Sequence, residues 1–256
     1  MKTISIIALK GGVGKTVTAV NLADNLAERG YRVCLIDADP QANSTRFWGC
    51  KPELAGTYEI MSGEITEGFT EVPQHTANRE LDLVSADLSL FALDAAALTN
   101  GTQGQINALA NFRDNREIRL LYDFLIIDCP PGFTAASIAA IAASDLLVVP
   151  TALDAFAMQG LTSLNSQVEH LHRKGNSPVV LKCLITKYDK SEATQQAETM
   201  LRGSGFKTFE TTIRTSHPIV TESTYEGTPL NQYSKWCSAA RDYRAFTDEL
   251  LETEGI

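Results

Sequence analysis

Positive charge is in short supply in this 256-residue chain: 22 Lys and Arg stand against 31 Asp and Glu, for a formal charge of −9. That balance excludes attachment to nucleic acid through overall charge, although a local basic patch remains open. No stretch reaches the roughly 18 apolar residues that a spanning helix needs. The apolar opening is also too short for a secretory leader, so a soluble cytoplasmic protein is expected. The five cysteines, at positions 34, 50, 129, 183 and 237, are odd in number and contain no C-x-x-C pair. A disulfide or zinc framework is thereby excluded, and Cys34, Cys129 and Cys183, inside apolar runs, are expected to be small buried hydrophobes. Four scattered histidines offer no metal cluster; His170 and His172, two apart on a helix, cannot share a face. Repeats and linkers rich in Pro, Gly or Ser are missing as well, which leaves a single domain over residues 1–256 as the expectation.

What the chain does have is alternation. Short apolar runs at 4–9, 33–37, 81–85, 124–128, 146–150 and 179–186 read as strands, most of them apolar on both faces. That pattern belongs to strands covered by helices on each side. Helical patterns lie between and after them, at 15–29, 134–143, 158–172 and 235–252, and Gly30 stands where a helix terminates. Alternating strands and helices predict an α/β fold with a doubly wound, mostly parallel sheet flanked by helices on both faces.

Three segments carry chemistry. Lys10-Gly11-Gly12-Val13-Gly14-Lys15-Thr16 follows the first strand and opens a helix. Glycines there let successive N–H groups turn inward as a nest for phosphate oxygens, and the helix N-terminus adds its positive end. Lys15 supplies a point charge for phosphate, and the Thr16 hydroxyl is a hard oxygen ligand for Mg²⁺. Asp37-Ala38-Asp39-Pro40-Gln41 closes the second strand, with two carboxylates two residues apart and so on one face. Asp128 ends the apolar run Leu125-Ile126-Ile127. In open α/β sheets ligands bind beyond the carboxyl ends of strands, where all three segments finish.

In this order and spacing the three segments resemble the deviant Walker A ATPases of the ParA/MinD superfamily of P-loop NTPases. Ala157-Met158-Gln159-Gly160-Leu161 and Thr186-Lys187-Tyr188-Asp189 resemble its ParA/Soj partition branch. The resemblance is to the small ParA type, for which no N-terminal DNA-binding extension before the first strand is expected. The resemblance implies an ATPase that uses ATP and Mg²⁺. Within it, Lys10 matches the signature lysine that reaches across a homodimer to the partner's nucleotide. Lys15 and Thr16 match the phosphate lysine and the magnesium ligand, Asp39 the residue that positions or activates the attacking water, and Asp37 and Asp128 the holders of the magnesium shell. Nucleotide contacts are expected from Lys10, Gly11, Gly12, Val13, Gly14, Lys15, Thr16 and Val17, and near the base from Thr186, Lys187, Thr212 and Ile213. Val17 departs from the family, which usually has a second threonine there to meet the α-phosphate.

The resemblance also implies plasmid or chromosome segregation: non-specific DNA binding by the ATP dimer, a ParB-like adaptor that stimulates slow hydrolysis, and association with the nucleoid. A DNA-facing patch would draw on Arg173, Lys174, Lys187, Lys190, Arg202, Lys207, Arg214, Lys235, Arg241 and Arg244. Of these, Arg214, Lys235 and Arg241 are the expected DNA contacts, because the family places its basic patch in the C-terminal region. The stretch around Arg214 is less basic than the family's. Positioning of a non-DNA cargo (a conjugation, flagellar or protein-organelle system) is the alternative. Iron–sulfur carriage would need aligned cysteines, and Cys129 alone gives it little support. The final helix places Trp236, Ala239, Ala240, Tyr243, Phe246 and Leu250 at helical spacing beside Asp242, Asp248, Glu249 and Glu252. It is expected to pack in the core rather than on a membrane.

Overall fold

The computed structural model describes residues 1–100, 103–173 and 179–255. Eight strands form one sheet: β1 (Lys2–Ile6), β2 (Val33–Asp37), β3 (Gln74–His75), β4 (Leu81–Val84), β5 (Phe124–Asp128), β6 (Leu146–Ala152), β7 (Val180–Tyr188) and β8 (Thr208–Arg214). Their order across the sheet is β3-β4-β2-β5-β1-β6-β7-β8. Every pairing is parallel except the short β3 on β4. The doubly wound, mostly parallel expectation is met.

The central strands are apolar on both faces because both are covered. Val33, Leu35, Phe124, Ile126, Leu146 and Val148 point into one core, while Cys34, Ile36, Leu125, Ile127, Leu147 and Val149 point into the other. The period-2 alternation of a strand sorts them this way. The first core is closed by helix α1 (Lys15–Glu28) and the C-terminal helix Ser238–Glu254. The second is closed in part by the helices Ala135–Ala143 and Ala157–Arg173. Each fully buried large apolar side chain contributes about 1.5–3 kcal/mol. Cys34, Cys129 and Cys183 are buried free thiols, as expected. No described helix is long and apolar enough to cross a membrane.

Two expectations are corrected. The first strand runs from Lys2 to Ile6, so residues 7–9 already belong to the loop that follows. The C-terminal helix starts at Ser238 rather than 235, with Cys237 as its cap: Sγ accepts from Ala240 N at 3.3 Å. Trp236 therefore precedes the helix and is 77% exposed, whereas Ala239, Ala240, Tyr243, Phe246 and Leu250 are buried as the helical spacing predicts.

Candidate functional site

Parallel strands bring the carboxyl ends of β1, β2 and β5 to one edge, with Asp37 in register beside Asp128 and Ile6 beside Asp128 on the other side. The glycine loop crosses this edge directly. Gly12 and Gly14 have φ of 72° and 95°, a region costly for any residue with a Cβ. Gly14 is the N-cap of α1, and its carbonyl accepts from Thr18 N at 2.9 Å. The loop is buttressed from β7, where the Thr186 hydroxyl donates to the Val13 carbonyl at 2.8 Å. Inside it lies Lys15, 7% exposed, with Nζ 3.4 Å from the Lys10 carbonyl.

A cavity of about 650 Å³ opens over the loop. Gly11, Gly12, Val13, Gly14, Lys15, Thr16, Val17, Asp39, Thr186, Lys187 and Ile213 all line it. Thr212 does not line it, although its neighbours Ile213 and Arg214 on β8 do. Lys10 does not line it either, because its ammonium is ion-paired with Asp154 of the same chain. The rest of the wall went unread in the sequence. It includes Gln41, Pro131, Ser216, His217, Val220 and Thr221, together with Tyr243 from the C-terminal helix. Tyr243 is tied to α1 through its hydroxyl, 3.0 Å from Thr18 Oγ1.

The carboxylates divide into two kinds. Asp37 is fully buried and satisfied by protein: Oδ1 accepts from Asp39 N at 3.1 Å, and Oδ2 from Thr45 N and Thr45 Oγ1, both at 2.8 Å. These bonds hold the Asp39 turn and the short helix α2 (Asn43–Phe47) against the end of β2. Asp128 is equally buried, but only Oδ2 is engaged, by the Ser44 hydroxyl at 2.8 Å; Oδ1 is buried with no partner. Burial pushes the Asp128 carboxyl above the usual carboxylate range, against the Ser44 and Thr16 hydroxyls and the Lys15 charge, with the Asp39 charge adding to the rise. Burial likewise raises Asp37, helped by the Asp128 charge and opposed by the Thr45 and Asp39 bonds. An orphaned carboxylate oxygen with the Thr16 hydroxyl beside it is a donor pair suited to a hard divalent cation.

Ser44 and Thr45 owe their positions to Ala42, which caps α2 at φ 52°. A left-handed residue with a Cβ costs about 1 kcal/mol, a strain tolerated where it aims functional groups. Asp39 lines the cavity, 7% exposed, with Oδ1 accepting from Gln41 N at 2.9 Å.

Of the basic candidates, Lys187 and Arg214 line the cavity. Arg214 is engaged by Asp242, with Nε to Oδ2 at 2.9 Å and Nη2 to Oδ1 at 2.6 Å, so its charge is neutralised in the cavity wall. Arg202 pairs with Glu198, and Arg244 bonds Asn231. Lys235 and Arg241 are exposed near the start of the C-terminal helix. Lys174 and the Arg173 side chain lie outside the described residues. Cys129 is fully buried and its thiol is pushed up by burial, which removes it from any surface role.

Known proteins share this architecture. A family described as an AAA domain matches residues 1–181. The chromosome-partitioning ATPase Soj of Thermus thermophilus is 32% identical over 257 residues, covering 98% of this chain and 96% of that protein. The chromosome partitioning protein ParA of Caulobacter vibrioides is 29% identical over 259 residues, covering 99% and 95%. Among solved structures, a Cyanothece McdA–ATP complex aligns with a TM-score of 0.84 at 24% identity, covering 100% of this chain and 97% of that one. With the family model spanning well over half the chain and a relative at 32% identity across nearly all of it, the chain belongs to the AAA-domain family of Soj and ParA partitioning ATPases.

Proposed function

We propose that the chain hydrolyses ATP, with Mg²⁺, and uses the nucleotide to control pairing with a second copy of itself in the segregation of DNA. The observation that carries this reading is a cavity lined by the glycine loop with its buried Lys15 and by Asp39, with Asp128 buried behind that lining, one oxygen unpartnered, near the Thr16 hydroxyl and the Lys15 charge. Lys15 and the inward N–H groups of residues 11–16 hold the phosphates. Thr16 and Asp128 hold the metal, which when bound neutralises charge on the phosphates. Asp39, in the cavity wall, orients the attacking water, and Asp37 fixes the turn that carries it. Val220, Ile213 and Tyr243 offer apolar surface for the base.

Lys10 is assigned to the nucleotide of the second copy, which makes hydrolysis depend on pairing. Exposed Phe133 and Phe156 follow β5 and β6 at the same edge of the sheet and supply apolar surface for that contact. In this scheme a ParB-like adaptor stimulates hydrolysis, and the protein resides in the cytoplasm on the nucleoid. Lys235 and Arg241 remain as candidate DNA contacts, two charges per copy and four in a pair.

A second reading, positioning of a non-DNA cargo by the same ATPase cycle, is favoured by one observation: Arg214, one of the three residues expected to face DNA, is ion-paired with Asp242. A gel shift of arbitrary duplex DNA, with and without ATP, separates the two. Salt-sensitive retention only with ATP supports DNA segregation.

The parent reading is tested by light scattering of the full chain with ATP and Mg²⁺. Wild type doubles in mass, and Lys15→Ala stays a monomer. Asp39→Ala binds ATP and accumulates as the pair. A wild-type chain that neither binds nucleotide nor changes mass rejects the assignment.

A further inference from the structure

Lys10 and Lys15 leave the same glycine loop in different directions. Lys15 is buried and faces the cavity, and its ammonium approaches the Lys10 carbonyl. The Lys10 ammonium instead ion-pairs with Asp154, in the turn that joins β6 to the helix Ala157–Arg173. That turn is built to present a carboxylate. Asp154 N donates to the Ala152 carbonyl at 2.9 Å, and the Asp154 carbonyl accepts from Ala157 N at 3.1 Å. Asp154 Oδ1 accepts from Phe156 N at 3.0 Å, which leaves Oδ2 for Lys10. One oxygen is thus fixed by backbone and the other carries the ion pair.

Both partners remain accessible, with side chains 55% and 38% exposed. An exposed pair of this kind is weak, worth about 0.2–1 kcal/mol. It can restrain the lysine in an isolated protomer, yet it yields to a group carrying several negative charges. Repulsion from Lys15 acts in the same direction, since two ammonium groups in one phosphate cradle disfavour each other.

We propose that Asp154 is a positioning residue: it holds Lys10 off the chain's own cavity in the lone protomer and restrains hydrolysis until a second copy's nucleotide draws the lysine away. This inference rests on the role given to Lys10 above. Asp154 touches no reacting atom; it acts by competing for the ammonium.

The test measures phosphate release from ATP by the full chain, across protein concentration, without DNA or adaptor. Asp154→Asn keeps an acceptor for Phe156 N and removes only the charge. It is expected to raise turnover on the order of two- to fivefold and to lower the protein concentration at half-maximal turnover by a similar factor. In a Lys10→Ala background the same change has no effect, and Asp154→Glu restores the restraint. A merely structural role would not produce that dependence on Lys10. Should Asp154→Asn melt early, Asp154→Ser, which also offers an acceptor to Phe156 N, takes its place. Equal or lower turnover in Asp154→Asn, with Lys10→Ala inactive, overturns the latch alone. Wild-type turnover in Lys10→Ala overturns the assignment of Lys10 and the latch with it.

Discussion

The Ser44 hydroxyl donates to Asp128 Oδ2 at 2.8 Å across 84 residues of sequence, while Oδ1 of the same carboxylate is buried without a partner. One oxygen is therefore fixed and the other left open, which orients the open one. Ser44→Ala removes the fixed end and leaves a fully buried carboxylate with neither oxygen engaged by that hydroxyl. An unsatisfied buried polar group costs about 1–3 kcal/mol, more where it is charged. Loss of an outer partner of a ligand commonly weakens metal binding by roughly tenfold or more. The variant is expected to lose about 1–3 kcal/mol in a denaturant titration. It should also need roughly tenfold more Mg²⁺ for tight ATP binding, measured by calorimetry. Wild-type Mg²⁺ dependence would remove Asp128 from the metal site.

Asp37 and Asp128 stand in register on adjacent strands, and burial raises both carboxyls. A metal requires its ligating carboxylate ionised, so binding releases any proton held there, and affinity rises with pH. Mg²⁺-supported ATP binding is expected to tighten between about pH 6 and pH 8, with proton release detected as a buffer-dependent binding enthalpy. The nucleotide's own titration is subtracted by repeating the measurement with Asp128→Asn. Its binding should be weaker and flatter with pH. An identical pH slope in the two proteins contradicts the assignment.

Away from the cavity, α1 carries a buried acid that the proposed mechanism does not use. Asp24 is 1% exposed, and burial pushes its carboxyl up to about 6. Asn78 and Gln232 donate to Oδ1, each at 3.1 Å, which opposes the rise; the Glu28 charge adds to it. The folded protein thus binds this proton more tightly than the unfolded chain does. Its contribution to stability is full below about pH 4 and is lost as pH rises through about 6. Asp24→Asn does not titrate. The stability difference between variant and wild type should shift in the variant's favour by on the order of 2–3 kcal/mol between about pH 4 and pH 7. Denaturant midpoints of both proteins across that range provide the check, and a constant difference would refute it.

The strands at the sheet centre could be read directly because nothing competes with the signal: β2 and β5 are apolar at every position before their terminal aspartates. The glycine loop was equally legible, since a phosphate nest demands those residue types in that order. β8 was missed because Thr208–Arg214 mixes polar residues on both faces of an edge strand, and only Phe209 and Ile213 are buried. Ser44 and Thr45 were missed for a different reason. Their partners are aspartates brought near by the sheet, far along the chain or across a turn, and no local pattern marks Ser44 and Thr45. The ion pairs of Lys10 with Asp154 and Arg214 with Asp242 join residues 144 and 28 apart, beyond the reach of any local pattern.

Val17 lines the cavity one residue past Thr16 and packs its apolar side chain partly against the core beneath α1. Its carbonyl accepts from Asn21 Nδ2 at 2.8 Å, a bond that a change of side chain leaves in place. Threonine matches valine in shape and shares its stiffness at χ1, so Val17→Thr replaces one methyl with a hydroxyl without reshaping the helix. A hydrogen bond to a charged group contributes about 1.5–3 kcal/mol, of which desolvation of the hydroxyl and the lost methyl contact take back a part. The net expectation is ATP binding tighter by roughly three- to tenfold. Turnover at saturating ATP should stay unchanged, because the chemistry lies at the other end of the triphosphate. Calorimetric titration of ATP against both proteins measures the first, and phosphate release the second. Unchanged affinity would place the α-phosphate out of reach of position 17, and changed turnover would place position 17 closer to the reacting phosphate than the loop geometry assigns it.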